Sequence, residues 1–232
     1  MITNETIKIK VKQRLNKLAS NDYDNITDWQ IVEAFNKGVS AWVRRTLHGY
    51  NQFKEGDEAN KRRIDDLQCL LKKHAGAVKN PNYYEVDIPE DYLEWKRITA
   101  LAKSECCEDR PMMIYLAREG DVDELLRNYH KKPSFKWAET FCTIATNKVK
   151  VYTNGEFDLK NVELTYYKQP RKIQIKGSSD PYTGKISVDE VTCEFKDDLV
   201  ELFIDETVKI LAGDIESITA NQLADNSVET NN

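Results

Sequence analysis

Residues 148–213 constrain this chain most, because a period of two gives way there to a period of three to four. KVKVY (148–152) and NVELTYYKQP (161–170) read as strands, and EFKDDLVELFIDETVKILAG (194–213) reads as a helix. In the second strand Val162, Leu164 and Tyr166 share one face and Glu163, Thr165 and Tyr167 the other, the pattern of a half-buried strand. Asn154-Gly155 lies between the strands and predicts a hairpin, with a connection longer than a two-residue turn. Pro170 ends the pairing, since it has no N–H to donate. Along the helix Val200, Ile204, Val208, Leu211 and Ile215 recur at helical spacing, widened by Leu199, Leu202, Phe203 and Ile210. So broad an apolar stripe needs a packing partner, and the hairpin is the nearest surface able to receive it.

The N-terminal third is helical in pattern. Ile7, Val11, Leu15 and Leu18 predict an amphipathic helix over 4–19, and SNDYDN (20–25) is a turn cluster. Thr27 and Gln30 match the reciprocal capping pattern at the start of a second helix. Its stripe is Val32, Phe35, Val39, Trp42 and Val43, and Gly49 stands at the expected stop. Gly38, which costs a helix interior about 1 kcal/mol, points to a close helix crossing. A third helix is expected over 57–75, with Ile64, Leu67 and Leu71 on one side and Gly76 at its end. KRR (61–63) and Lys72-Lys73 then form either a solvated face or a contact for an acidic partner.

Beyond residue 80 the pattern turns to strands. YYEVDIP (83–89), WKRITALAK (95–103), PMMIYLAR (111–118) and FKWAETFCTIA (135–145) read as strands. GDVDELLRNYH (120–130) reads as a short helix with Val122, Leu125, Leu126 and Tyr129 as its stripe. GSSDPYTGK (177–185) is a long loop, and 216–232 is a polar tail expected to order only in an assembly. The expected architecture is one α+β domain over 1–215, although the change near residue 80 is a candidate boundary. It has a helical part (1–80), a β-rich part with a hairpin (81–190), and a long C-terminal helix (194–213) packed with the N-terminal helices.

Composition narrows the function classes. The formal net charge of −5 hides an asymmetry. Residues 1–80 hold 15 Lys/Arg against 10 Asp/Glu, and residues 81–232 hold 19 against 29. Oppositely charged ends suit a chain that meets neighbours of opposite sign, or else reflect an uneven solvated surface. No run approaches the roughly 18 apolar residues of a membrane span, and the start lacks the pattern of a secretory signal, so assembly in a cytoplasm is expected. Five irregularly spaced cysteines favour free thiols over a disulfide framework.

Catalytic signatures are not found. Cys106-Cys107 suits neither a zinc site nor a redox pair, and His48, His74 and His130 lack metal-ligand spacing. There is no Gly-rich phosphate loop and no nucleophile elbow. Asp65-Asp66 and Asp197-Asp198 lie on predicted helices, where neighbours diverge by about 100°. The aromatic residues, Tyr83-Tyr84, Tyr166-Tyr167 and four Trp, are not read as interleaved with Lys/Arg in the manner of a single-strand binder. No metal, cofactor or catalytic residue is therefore expected.

Several segments resemble a structural protein of the crAss-like bacteriophages. They are SNDYDNITDWQIVEAFNKGVSAWVRRTLHG (20–49), KRRIDDLQCLLK (61–72), DIPEDYLEWKRITALA (87–102), KPSFKWAETF (132–141), 147–173 and 193–217. The order of elements, with its Tyr166-Tyr167-Lys168-Gln169-Pro170 strand exit, also resembles the head–tail adaptor proteins of short-tailed phages. The resemblance implies a non-enzymatic virion protein of the portal vertex: a closed ring, commonly a dodecamer, beneath the portal. Its implied partners are other copies of itself, the portal, neighbouring tail proteins, and DNA passing without sequence-specific contact. The expected portal or ring contact is Ile215, Ile218 and Leu223, with a neighbouring-subunit contact at Trp42, Arg44 and Arg45. Two alternatives stand beside it. One is a DNA-binding or DNA-processing protein using Arg44, Arg45, Lys61, Arg62 and Arg63; the other is a tail-associated hydrolase using Glu90, Asp91 and Glu94.

Overall fold

A computed structural model describes residues 2–18, 26–48, 65–104, 107–179 and 183–214. In chain order the elements begin with α1 (Asn4–Leu18), α2 (Asp28–His48), β1 (Leu71–Ala75), β2 (Val78–Lys79), β3 (Tyr83–Asp87) and β4 (Tyr92–Ser104). They continue with β5 (Cys107–Pro111), β6 (Met113–Leu116), α3 (Val122–Arg127), β7 (Glu139–Ala145), β8 (Lys148–Tyr152), β9 (Asp158–Lys168) and α4 (Asp197–Asp214). The architecture is mixed α+β and divides into two compact units. One combines Met1–Cys69 with Pro170–Asn232, and the other is Leu70–Gln169. The change from helix to strand thus falls at Leu70, ahead of the boundary weighed near residue 80, and residues 170–190 belong with the helices.

The discontinuous unit is built on α4. No residue of α4 from Leu199 to Ala212 is fully exposed, as expected of a helix flanked by others. Phe203 packs edge-on against Phe35, Trp42 and Phe195, with ring centroids 6.1, 5.3 and 5.1 Å away. Ile7, Val11 and Leu15 of α1 and Ile31, Val39 and Val43 of α2 are buried as well. Each such side chain contributes roughly 1.5–3 kcal/mol. The receiver of the α4 stripe is therefore the N-terminal helix pair. At Gly38 an added Cβ would lie 3.3 Å from Glu206 Cγ, so the glycine does mark a close crossing of α2 and α4.

Polar side chains hold the rest of this unit. The Arg14 guanidinium of α1 bonds Glu201 and Asp205 of α4. The buried Asn4 donates from Nδ2 to the carbonyls of Gln174 and Val191, both at 3.0 Å. Asn36 accepts the Ile173 N–H at 2.9 Å and donates back to its carbonyl at 3.3 Å, as a neighbouring strand would. These two amides tie the segment after Pro170 to α1 and α2. At the start of α2, Gln30 Oε1 accepts the Thr27 N–H at 2.9 Å, half of the capping pattern. The Thr27 hydroxyl donates to the same oxygen.

The continuous unit is two packed sheets. One runs β1-β9-β4-β5; the other runs β2-β3-β8-β7-β6, with β6 parallel to β7. Ile98, Ala100, Leu159, Val162 and Leu164 of the first meet Val86, Cys142, Val149 and Val151 of the second in one core. The opposite face of the second sheet carries Phe141 and Tyr152, covered by Leu125 of α3. Alternation puts Phe141 on one face and Cys142 on the other.

Three expectations are corrected here. First, residues 71–75 are a strand: Leu71 pairs with Tyr167 and Ala75 with Glu163. A long-range ladder overrides the helical spacing of Leu67 and Leu71. Of the expected third helix, 57–64 and its Ile64 lie outside the described residues. Asp65-Asp66 make a helical turn, and Gln68–Leu70 a 3-10 turn. Second, β8 and β9 are not a hairpin. β8 pairs with β3 and β7, while β9 pairs with β1 and β4. Asn154-Gly155 (φ 53° and 70°) turns the chain from one sheet into the other. The tight hairpin is β7–β8, closed by Thr146-Asn147 with φ of 49° and 64°, the positive pair of a type I′ turn. Third, β9 is central. Thr165, Tyr166, Tyr167 and Lys168 are all buried, so both faces are covered. Pro170 follows its end as expected.

Candidate interaction surfaces

The residues expected at a neighbouring-subunit contact have partners within their own unit. Trp42 packs on Phe195 and Phe203, and Arg45 pairs with Glu206 at 3.0 Å. Arg44 is exposed. Ile215, Ile218 and Leu223, the polar tail, Gly49, and the basic run Lys61-Arg62-Arg63 lie outside the described residues. Of the acids offered for hydrolysis, Asp91 is engaged in structural bonds. The Asp91 carboxylate accepts Lys72 Nζ at 2.6 Å and the Tyr166 hydroxyl at 2.7 Å. Those two bonds, Lys72 first, hold its carboxyl below the ordinary carboxylate range. Burial, aided by Asp91, pushes the Tyr166 hydroxyl up to about 12. This is a structural clamp from β1 to β9.

In the discontinuous unit a groove of about 450 Å³ runs along α2, between Trp29, Val32 and Asn36 on one side and Ile173, Gln174 and Ser187 on the other. Its second wall is the base of an arm. The bridges Gln174↔Val191 and Ser179↔Ile186 pair the two limbs of residues 174–191. Ile186 and Val188 stand exposed on that arm. The loop expected over 177–185 is thus the far end of a paired projection, with 180–182 outside the described residues.

The continuous unit has a more pronounced surface. Between Glu124 and Glu139 the chain holds no acid, but it holds Arg127, His130, Lys131, Lys132 and Lys136. Tyr129 is 78% exposed and Trp137 74%, values far from those of a core aromatic. Lys132 Nζ lies 5.9 Å from the Tyr129 ring centroid and Lys136 Nζ 5.7 Å from that of Trp137. Lys132 also pairs with Glu156 at 3.0 Å. The segment is shaped by the end of α3 and by Pro133. Asn128 Oδ1 accepts the His130 N–H at 3.0 Å, and Ser134 pairs with Glu139 in a bridge. The Met113 N–H donates to the Ala138 carbonyl at 2.8 Å, which sets β6, with exposed Met113 and Leu116, beside this segment. β6 ends the order of its sheet.

Residue type alone does not single out this segment, because its Tyr129 and Trp137 stand apart in the sequence. The missed signal was the acid-free run from Leu125 to Ala138, in which cations and aromatics do alternate. Among the described residues no three His, Cys, Asp or Glu side chains are grouped to hold a metal ion. No described helix is long and apolar enough to cross a membrane. Fold and surfaces together define an α+β protein of two units with exposed apolar and cationic side chains. No protein-family model matches the chain, and comparison with curated proteins returns no match either.

Proposed function

We propose that this chain is a structural subunit of a bacteriophage head–tail connector ring, docked beneath the portal and joined to tail proteins around the DNA channel. The resemblance of its segments to a crAss-like phage structural protein supports this reading. The observation that carries it furthest is where large apolar side chains are exposed. Met113 and Leu116 sit on an edge strand of one unit, and Ile186 and Val188 on an arm of the other. A ring subunit must contact several neighbours at once through unlike surfaces, and heterologous contacts close into a ring when the rotation allows. Arg44 and the tail from Ile215 remain the proposed contacts to a neighbouring subunit and to the portal.

Native mass spectrometry of the full chain, alone and mixed with the portal of the same phage, tests the proposal. A closed oligomer, or a complex with the portal in fixed ratio, is the expected result. A monomer that joins neither itself nor the portal removes it.

A further inference from the structure

We infer that the acid-free segment from Leu125 to Ala138 binds single-stranded nucleic acid, with the strand's phosphates on Arg127, Lys131 and Lys136 and bases stacked on Tyr129 and Trp137. The inference stands apart from the ring proposal, since it needs only the continuous unit's own surface. Three observations carry it. The segment collects four Lys/Arg side chains and His130 with no acid in the run, on a chain whose net charge is −5. An acidic protein that concentrates cations in one turn creates a local attraction for a polyanion that its bulk charge would not predict. Tyr129 and Trp137, the two most exposed aromatic rings among the described residues, lie in that same segment. Finally, each of these rings has a lysine ammonium beside it, so a π face and a positive charge are offered together. A base and its phosphate present the complementary pair.

An acidic protein surface would satisfy the lysines, but rings that each carry an ammonium beside them match a base with its phosphate more closely. Duplex DNA likewise offers phosphates while its bases stay stacked on one another. An unpaired strand uses both chemistries, and so it is the occupant the surface fits best. Pro133 and the Ser134↔Glu139 bridge shape the backbone that carries these groups, and Lys132 is partly neutralised by Glu156.

The test is fluorescence anisotropy of the full chain with a labelled oligothymidylate of about 20 nucleotides, longer than one stacking site. Binding is expected to weaken with salt, with a log–log slope near −2 to −3 for three or four neutralised phosphates at about −0.7 each. Trp137→Ala should weaken binding about tenfold, within the range for one stacked base. Trp137→Phe, which keeps a ring, should retain most of the affinity. Lys131→Glu with Lys136→Glu should abolish binding at physiological salt, while Lys12→Glu on α1 leaves it unchanged. Circular dichroism confirms that each variant is folded, as the exposure of these side chains predicts. Absence of binding at low salt, or equal binding by wild type and Lys131→Glu/Lys136→Glu, overturns the inference. So does a preference for duplex that ignores Trp137. Loss of polyglutamate binding, but not of oligothymidylate binding, in the charge-reversed variant would reassign the surface to an acidic protein.

Discussion

Burial separates the described cysteines into two kinds. Cys69 and Cys107 are exposed, whereas Cys142 and Cys193 are buried. Burial pushes the Cys142 thiol up to about 12, so the thiolate that would react is scarce there. A thiol reagent applied to the folded protein should modify Cys69 and Cys107 within minutes and spare Cys142 and Cys193 until denaturant is added. Peptide mapping reads this directly. Asp91 makes the second prediction at this scale. Its carboxyl is held low by Lys72 and then Tyr166. A group with a depressed folded value adds stability that is complete above its unfolded value and is lost as pH falls through the folded one. Asp91→Asn should therefore cost stability at neutral pH, by about 0.5–1 kcal/mol given the exposure of the Lys72–Asp91 pair. The difference from wild type should shrink in acid, as pH falls through the lowered value of Asp91 and the native carboxyl takes up its own proton. Urea titrations at neutral and acid pH measure it.

At the scale of elements, α4 sets the discontinuous unit and Gly38 sets how near α2 can approach it. An alanine there would improve helix propensity by about 1 kcal/mol. Its Cβ would nonetheless press on Glu206 Cγ at 3.3 Å, in a side chain that also pairs with Arg45. Gly38→Ala should be close to neutral. Gly38→Leu has nowhere to go between the helices, and should destabilise by roughly 1–3 kcal/mol through overpacking. Thermal melts of the two variants separate the cases. Much at this scale was legible in the sequence. Ile7, Val11 and Leu15, and then Val200, Ile204 and Val208, announce their helices by spacing, and both triplets are buried. Tyr84 and Val86 mark a strand face in the same way. The segment Leu71–Ala75 was not legible, because LKKHA has no period of its own and becomes a strand only against β9.

For the whole molecule, the pairing Leu71↔Tyr167 has a consequence for domain structure. The continuous unit begins at β1 and ends at β9, which are hydrogen-bonded neighbours, so its two ends lie side by side. Leu70–Gln169 is in that sense an insertion into the helical unit. Residues 70–169 expressed alone should fold, since their core lies between their own two sheets. A dispersed amide spectrum and a cooperative melt are expected. A molten chain would show that the two units fold only together. The candidate site divides along the same line. Trp42 and Arg45, singled out by residue type, are largely spent on Phe203, Phe195 and Glu206. The Tyr129–Trp137 turn stands out only once its rings are seen in solvent.

The amino-acid order by itself determined where the helices α1, α2 and α4 and most strands lie, and that Pro170 closes β9. Those features follow from covalent geometry, through side-chain period and the missing proline N–H. Tertiary structure alone decided that β8 and β9 enter different sheets and that residues 71–75 extend. It also decided that Asn4 and Asn36 tether the chain beyond Pro170. Each of those outcomes joins residues far apart in sequence, and the free energy that selects the partner comes from burial and ladder bonds that no local window contains.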